Sequence, residues 1–168
     1  HTVPIRCLDL SASKNQLAIV DDNQNILVYD IKKAKVTFQD NGAGAVAWNS
    51  EMEDLLAYSG NGSLSIKTGQ FPAISQNMLG FVVGFRGSKI YSLNYITMNT
   101  VDVPQSAPMY KYLENKEFEN AYEIACLGVT DQDWRNFAIE CIQAEKFELA
   151  RKAFMKLQDI RFLELISK

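Results

Sequence analysis

Two periodicities divide the chain. Up to about Val103, apolar residues recur at alternate positions, in runs rich in β-branched and aromatic side chains broken by Asn, Gly and Ser. That is the pattern of strands joined by tight turns. From Met109 onward the order Trp134, Phe137, Ala138, Cys141, then Phe147, Ala150, Phe154 follows the spacing of large and small residues in a tetratricopeptide (TPR) hairpin of two helices.

Each half repeats internally. In the β half, a gap-free shift of 38 residues lays Leu10 on Trp48, Leu17 on Leu55, Asn23 on Asn61, Ile26 on Leu64 and Val28 on Ile66. Four strands fit that length, which is the size of one propeller blade. The stretch Asn23-Gln24-Asn25-Ile26-Leu27-Val28-Tyr29-Asp30 reads like the ending of a WD-repeat blade, with Tyr29-Asp30 in the place of Trp-Asp. The second copy, Asn61 to Ile66, closes on Lys67-Thr68 and is degenerate. Phe81 to Phe85, Ile90 to Leu93 and Met98 to Val103, with a turn at Arg86-Gly87-Ser88, supply three strands of another blade.

In the helical half the shift is 29 residues: Leu113 falls on Ile142, Phe118 on Phe147, Glu119 on Glu148 and Ala121 on Ala150. Small Ala121 and Ala150 let two helices approach closely, and the aromatics fill the space beside them. A further shift carries Trp134 to Leu163, Phe137 to Ile166 and Ala138 to Ser167, so a third hairpin begins and is cut off at Lys168. Pro108 suits a first helical turn. Gly128 suits a left-handed helix end, Thr130 with Asp133 a short capping box, and Asp159 the cap of the last segment. The fold expected is β then α: residues 1–103 a partial WD-type β-propeller of two to three blades, 104–108 a short Pro-containing linker forming a nearly rigid joint, and 109–168 the start of a TPR-like α-hairpin solenoid.

Composition narrows the function. The chain has 168 residues, 47% apolar and 22% charged, enough for a core. Its formal charge is −3, divided as −1 before Pro108 and −2 from there on. With no basic face, nucleic-acid binding is not expected. No apolar run reaches the length of a membrane span and no signal-peptide pattern opens the chain. Cys7, Cys126 and Cys141 form no metal-spaced pair and read as reduced, buried thiols. The single histidine, His1, stands at the extreme end, which leaves no Ser-His-Asp or Cys-His group to assemble.

Three other patterns weigh toward structure. Gly42-Ala43-Gly44-Ala45-Val46-Ala47 fits a dinucleotide fingerprint on paper, but it leads into a strand, so a turn is expected. Asp21 to Asn25 is patterned like a calcium loop, yet Ile26 and Lys32 stand where Gly and Glu belong. Glu51, Glu53 and Asp54 lie in a hairpin loop and read as solvated surface instead of paired catalytic acids. Trp48 and Trp134 read as packing residues. No catalytic, cofactor or metal residues are assigned. In TPR hairpins the first helix lines the concave face, so Gln132, Arg135, Ile139 and Gln143 are the candidate partner-contact residues.

Several segments go beyond the repeat patterns. They are Gly80 to Phe85, Gly87 to Ile90, Val103 to Tyr110, Ala121 to Asp131 and Leu163 to Ser167. In these the chain resembles the intraflagellar transport protein 122 family, WD-repeat and TPR-like subunits of intraflagellar transport complex A. The resemblance implies the end of a second propeller plus the first solenoid hairpins, as an internal fragment. It further implies a non-enzymatic scaffold acting in retrograde ciliary transport, cilium assembly and ciliary entry of membrane-receptor cargo. The implied partners are other complex A subunits and, indirectly through adaptors, that cargo; the implied location is the ciliary base, the axoneme and the cytoplasm. A coatomer-type vesicle-coat subunit shares the architecture, and a TPR-type peptide-binding adaptor is the other alternative. Open blade faces and the stranded Leu163, Leu165 and Ile166 predict self-association of the chain made alone.

Overall fold

The computed structural model describes residues 2–166, with side chains up to Leu163. His1, Ser167 and the side chains of Leu165 and Ile166 lie outside the described residues, and with them the expected repeat matches at Ile166 and Ser167. The chain divides into two compact units, His1–Val103 and Pro104–Lys168.

The first unit holds three antiparallel sheets. Blade 1 runs in the order β1 (Ile5–Leu10), β2 (Gln16–Asp21), β3 (Asn25–Asp30), β4 (Lys35–Asn41), and blade 2 in the order β5 (Ala45–Trp48), β6 (Leu55–Gly60), β7 (Ser63–Thr68), β8 (Ile74–Asn77). Blade 3 pairs β9 (Phe81–Arg86), β10 (Lys89–Asn94) and β11 (Thr97–Asp102), the three strands expected. The first strands face one another across the stack, β1 against β5 and β5 against β9. Alternation explains the packing. Ala18, Val20, Ile26 and Val28 of blade 1 meet Ala43, Val46, Trp48, Leu56 and Tyr58 of blade 2 in one buried cluster. A fully buried Val or Leu there contributes roughly 1.5–3 kcal/mol.

Strand register corrects one alignment. Leu17 pairs with Leu10 and Tyr29, whereas Leu56 pairs with Trp48 and Lys67. Leu56, not Leu55, therefore stands where Leu17 does. The β5–β6 loop has gained a residue and the next turn has lost one, so a gap-free shift passes over the change. That shortened turn is Asn61-Gly62, with φ of 52° and 78°, the two positive values of a type I′ hairpin.

The second unit is helical: α1 (Ser106–Glu114), α2 (Phe118–Gly128), α3 (Asp131–Gln143), α4 (Phe147–Leu157) and α5 (Ile160–Ile166). Ser106, Ala107 and Pro108 are helix and not linker, with Pro108 in the first turn as its missing N–H allows. Ala121, Ala138, Ala150 and Ala153 are fully buried at the helix contacts, beside Phe137, Cys141 and Phe154. Trp134 makes edge contacts with Tyr122 and Phe137, at 5.7 and 6.0 Å between ring centres. The repeat is less regular in burial than in sequence. Phe118 is buried, while its counterpart Phe147 is 51% exposed.

Three helix ends share one device. Glu117 N–H donates to Tyr112 O, Lys146 N–H to Cys141 O and Asp159 N–H to Phe154 O, each five residues back. The residue before each donor, Lys116, Glu145 or Gln158, takes a left-handed φ of 55–61°. This is the Schellman end, built here without glycine.

Candidate functional site: a groove on the helical unit

Two faces form a groove in the helical unit. On α1, Tyr110, Leu113 and Glu114 share one face at i, i+3, i+4 spacing; on α3, Asn136, Ile139 and Glu140 do the same. Together they line a cleft of about 330 Å³. Its base is held by a hydrogen-bond network around Asp133, which is buried at the start of α3. Asp133 Oδ2 accepts from Ser106 Oγ at 2.7 Å, Thr130 Oγ1 at 2.8 Å and Thr130 N–H at 3.1 Å; Oδ1 accepts from the Tyr110 hydroxyl at 2.9 Å. Asn136 Nδ2 then donates to the Tyr110 oxygen at 2.8 Å. Thr130 and Asp133 also complete the expected capping box. Burial pushes the Asp133 carboxyl upward, but the bonds from Ser106, Thr130 and Tyr110 outweigh it and hold it below its ordinary value.

The network decides what the groove offers. Tyr110 spends its hydroxyl on Asp133 and Asn136, and Asn136 its amide on Tyr110 and Gln132, which leaves their outward surfaces as a fixed floor. Leu113 is half-buried and Ile139 is 39% exposed, a larger fraction than a core isoleucine shows. Glu114 and Glu140 are exposed, and neither has an ion-pair partner among the described residues. The site is an apolar strip flanked by two carboxylates.

Of the four candidate contact residues, the groove contains Ile139. Arg135 is tied to Asp159 at 3.3 Å, Gln132 donates to Asn136 Oδ1 at 3.0 Å, and Gln143 is exposed at the end of α3. Tyr110, Leu113, Glu114, Asn136 and Glu140 were not among those candidates. Their signal was the matching i, i+3, i+4 triplets on the first helices of successive hairpins. Under the 29-residue shift Leu113 and Glu114 correspond to Ile142 and Gln143, so the next hairpin keeps the apolar residue and loses the charge.

The other patterns resolve as structure. Gly42, with φ of 81°, turns the chain into β5 and not into a helix. Asp21 accepts from Asn25 N–H and Nδ2 within the β2–β3 turn, stabilising a hairpin. The acidic hairpin is more than solvated surface, which corrects that expectation. Glu53 accepts from Ser13 N–H and Oγ at 2.8 and 2.7 Å on blade 1, while Glu51 takes Arg86 Nε at 3.0 Å on blade 3. Nor are all the thiols buried: Cys141 is, Cys7 partly so, and Cys126 is exposed. Burial, then the charges of Glu119 and Glu140, push the Cys141 thiol up to about 12. A cavity of about 280 Å³ between blades 1 and 2 is lined by Asp30, Trp48, Asp54 and Lys67. The Lys67 ammonium donates to Gly69 O and Phe71 O and sits over the Phe38 ring, so its charge is committed.

Comparison with known proteins places this architecture. Residues 1–98 match the family model described as the IFT122 second beta-propeller, and residues 105–168 match the model described as the IFT122 TPR domain. The chain belongs to the IFT122 family. It is 56% identical to the intraflagellar transport protein 122 homolog of Mus musculus over 97% of its own length and 14% of that protein's. With the Homo sapiens homolog the identity is 54% over 97% of the chain and 13% of the relative. The chain thus spans about one-seventh of the IFT122 relatives it matches. Among solved structures, the WD40 repeats of RRP9 superpose with a TM-score of 0.50 at 15% identity, over 61% of this chain and 36% of that one. That likeness is one of fold. The chain is accordingly WD-type propeller blades followed by TPR-like helical hairpins, as its sequence pattern predicts.

Proposed function

We propose that this chain is part of a non-enzymatic scaffold subunit of intraflagellar transport complex A, with residues 1–103 as propeller blades and the helices from Ser106 onward as the opening of the solenoid. The observation that carries the reading is the 51–56% identity, across both repeat types, to proteins named for intraflagellar transport. The geometry supports it: the groove presents an apolar strip flanked by two carboxylates, a surface suited to another protein. In this reading the subunit works in retrograde transport and cilium assembly, and admits membrane-receptor cargo through adaptors. It resides at the ciliary base, on the axoneme and in the cytoplasm. Its contacts include the exposed face of α3 at Gln132, Arg135, Ile139 and Gln143. Tagged full-length protein is expected to concentrate at the ciliary base and to copurify with complex A subunits. Copurification with vesicle-coat subunits instead would reject the reading.

The same reading carries a prediction for the chain expressed alone. Leu8 and Leu10 on blade 1, and Phe81, Leu93 and Met98 on blade 3, are exposed large hydrophobics on the outermost sheets. Self-association through them is expected, and light scattering that shows a monomer at high concentration would contradict it.

A further inference from the structure

We infer that the α1–α3 groove binds a protein segment carrying an aliphatic side chain between basic ones. The inference rests on the scaffold reading and names the chemistry of the partner. The floor settles the central residue: Leu113 and Ile139 offer an apolar strip, and the polar atoms of Tyr110 and Asn136 are engaged with each other, with Asp133 on the Tyr110 side and with Gln132 on the Asn136 side. The rim settles the flanks. Glu114 and Glu140 stand on opposite helices, exposed and without an ion-pair partner among the described residues, so each loses little hydration when a lysine or arginine reaches it from above. Arg135, the cation of α3, is held by Asp159 and does not neutralise the rim. The hairpin that follows carries Gln143 where this one has Glu114, so the rim charge of α1 is not repeated at that position of α3.

The test uses full-length protein and a labelled, end-blocked peptide of alternating lysine and leucine, with glutamate-for-lysine and serine-for-leucine versions. Binding is followed by fluorescence anisotropy. The lysine–leucine peptide is expected to bind, and to weaken with added salt. The double variant Glu114→Gln with Glu140→Gln is expected to weaken it about tenfold. Glu114→Lys with Glu140→Lys is expected to move the preference to the glutamate–leucine peptide, and Ile139→Ser to weaken both peptides. Both glutamates are exposed, and unchanged circular dichroism of the charge variants verifies the fold. Equal binding of the two charged peptides, a preference that does not move in the charge-reversed variant, or no binding would overturn the inference. Copurification of complex A subunits with the unaltered protein is scored in parallel. Its failure would overturn the scaffold reading, whereas peptide failure with copurification intact would overturn the groove alone.

Discussion

Replacing Asp133 with alanine should unlock the groove from beneath. The change keeps the cap bond from the residue 133 N–H to Thr130 Oγ1, but removes the carboxylate that accepts from Thr130 N–H, Thr130 Oγ1, Ser106 and Tyr110. Hydrogen bonds to an ionised carboxylate count for more than neutral ones, but Ser106 is only half-buried and can turn to water, and Tyr110 keeps Asn136. Together these put the loss at about 3 kcal/mol for the helical unit. Asp133→Asn keeps one oxygen for Ser106 and Thr130 and should lose about 1 kcal/mol. Urea denaturation followed by far-ultraviolet circular dichroism measures both, and a double-mutant cycle with Ser106→Ala isolates the coupling. A loss below about 0.5 kcal/mol for Asp133→Ala, the range of an ordinary surface change, would refute the role assigned to the network.

Three further outcomes are expected. The folded Asp133 carboxyl lies below its ordinary value of 3.8, so its stabilisation is complete above that pH and fades as pH falls through the folded value; Asp133→Asn should flatten this part of the acid-unfolding profile of the helical unit. Lys116→Gly and Glu145→Gly, which replace left-handed residues, should each stabilise by roughly 0.5–1 kcal/mol in thermal melts, and a loss would show that their side chains matter more than their backbone. In thiol labelling followed by mass spectrometry, Cys126 should react promptly and Cys141 only on unfolding; modification of Cys141 at the rate of Cys126 would contradict its burial.

Much of the fold was legible because repeated units leave repeated spacing. Buried Ala121 and Ala150, the Thr130–Asp133 cap and the three strands of blade 3 all follow from residue size and polarity alone. What escaped detection were compensating changes and long-range bonds. The residue gained before Leu55 and lost at Asn61-Gly62 cancel in a straight shift, so Leu55 stood in for Leu56. The Schellman ends at Lys116, Glu145 and Gln158 lack the glycine by which such ends are recognised. Glu51 and Glu53 look solvated in a loop, and only the stacking of blades brings Arg86 and Ser13 to them. At the groove, helical periodicity carries Ile139 and the triplets on each helix, but which triplets face one another depends on how α1 packs on α3, which no single-helix pattern encodes.

Those two acids of the β5–β6 loop have a consequence for mechanical behaviour. One hairpin grips the blade before it and the blade after it, the first by bonds to the uncharged Ser13 and the second by an ion pair to Arg86, so the two sides differ in their response to surrounding ions. Concentrated salt should loosen the Arg86 side of this clasp and leave the Ser13 side as it is.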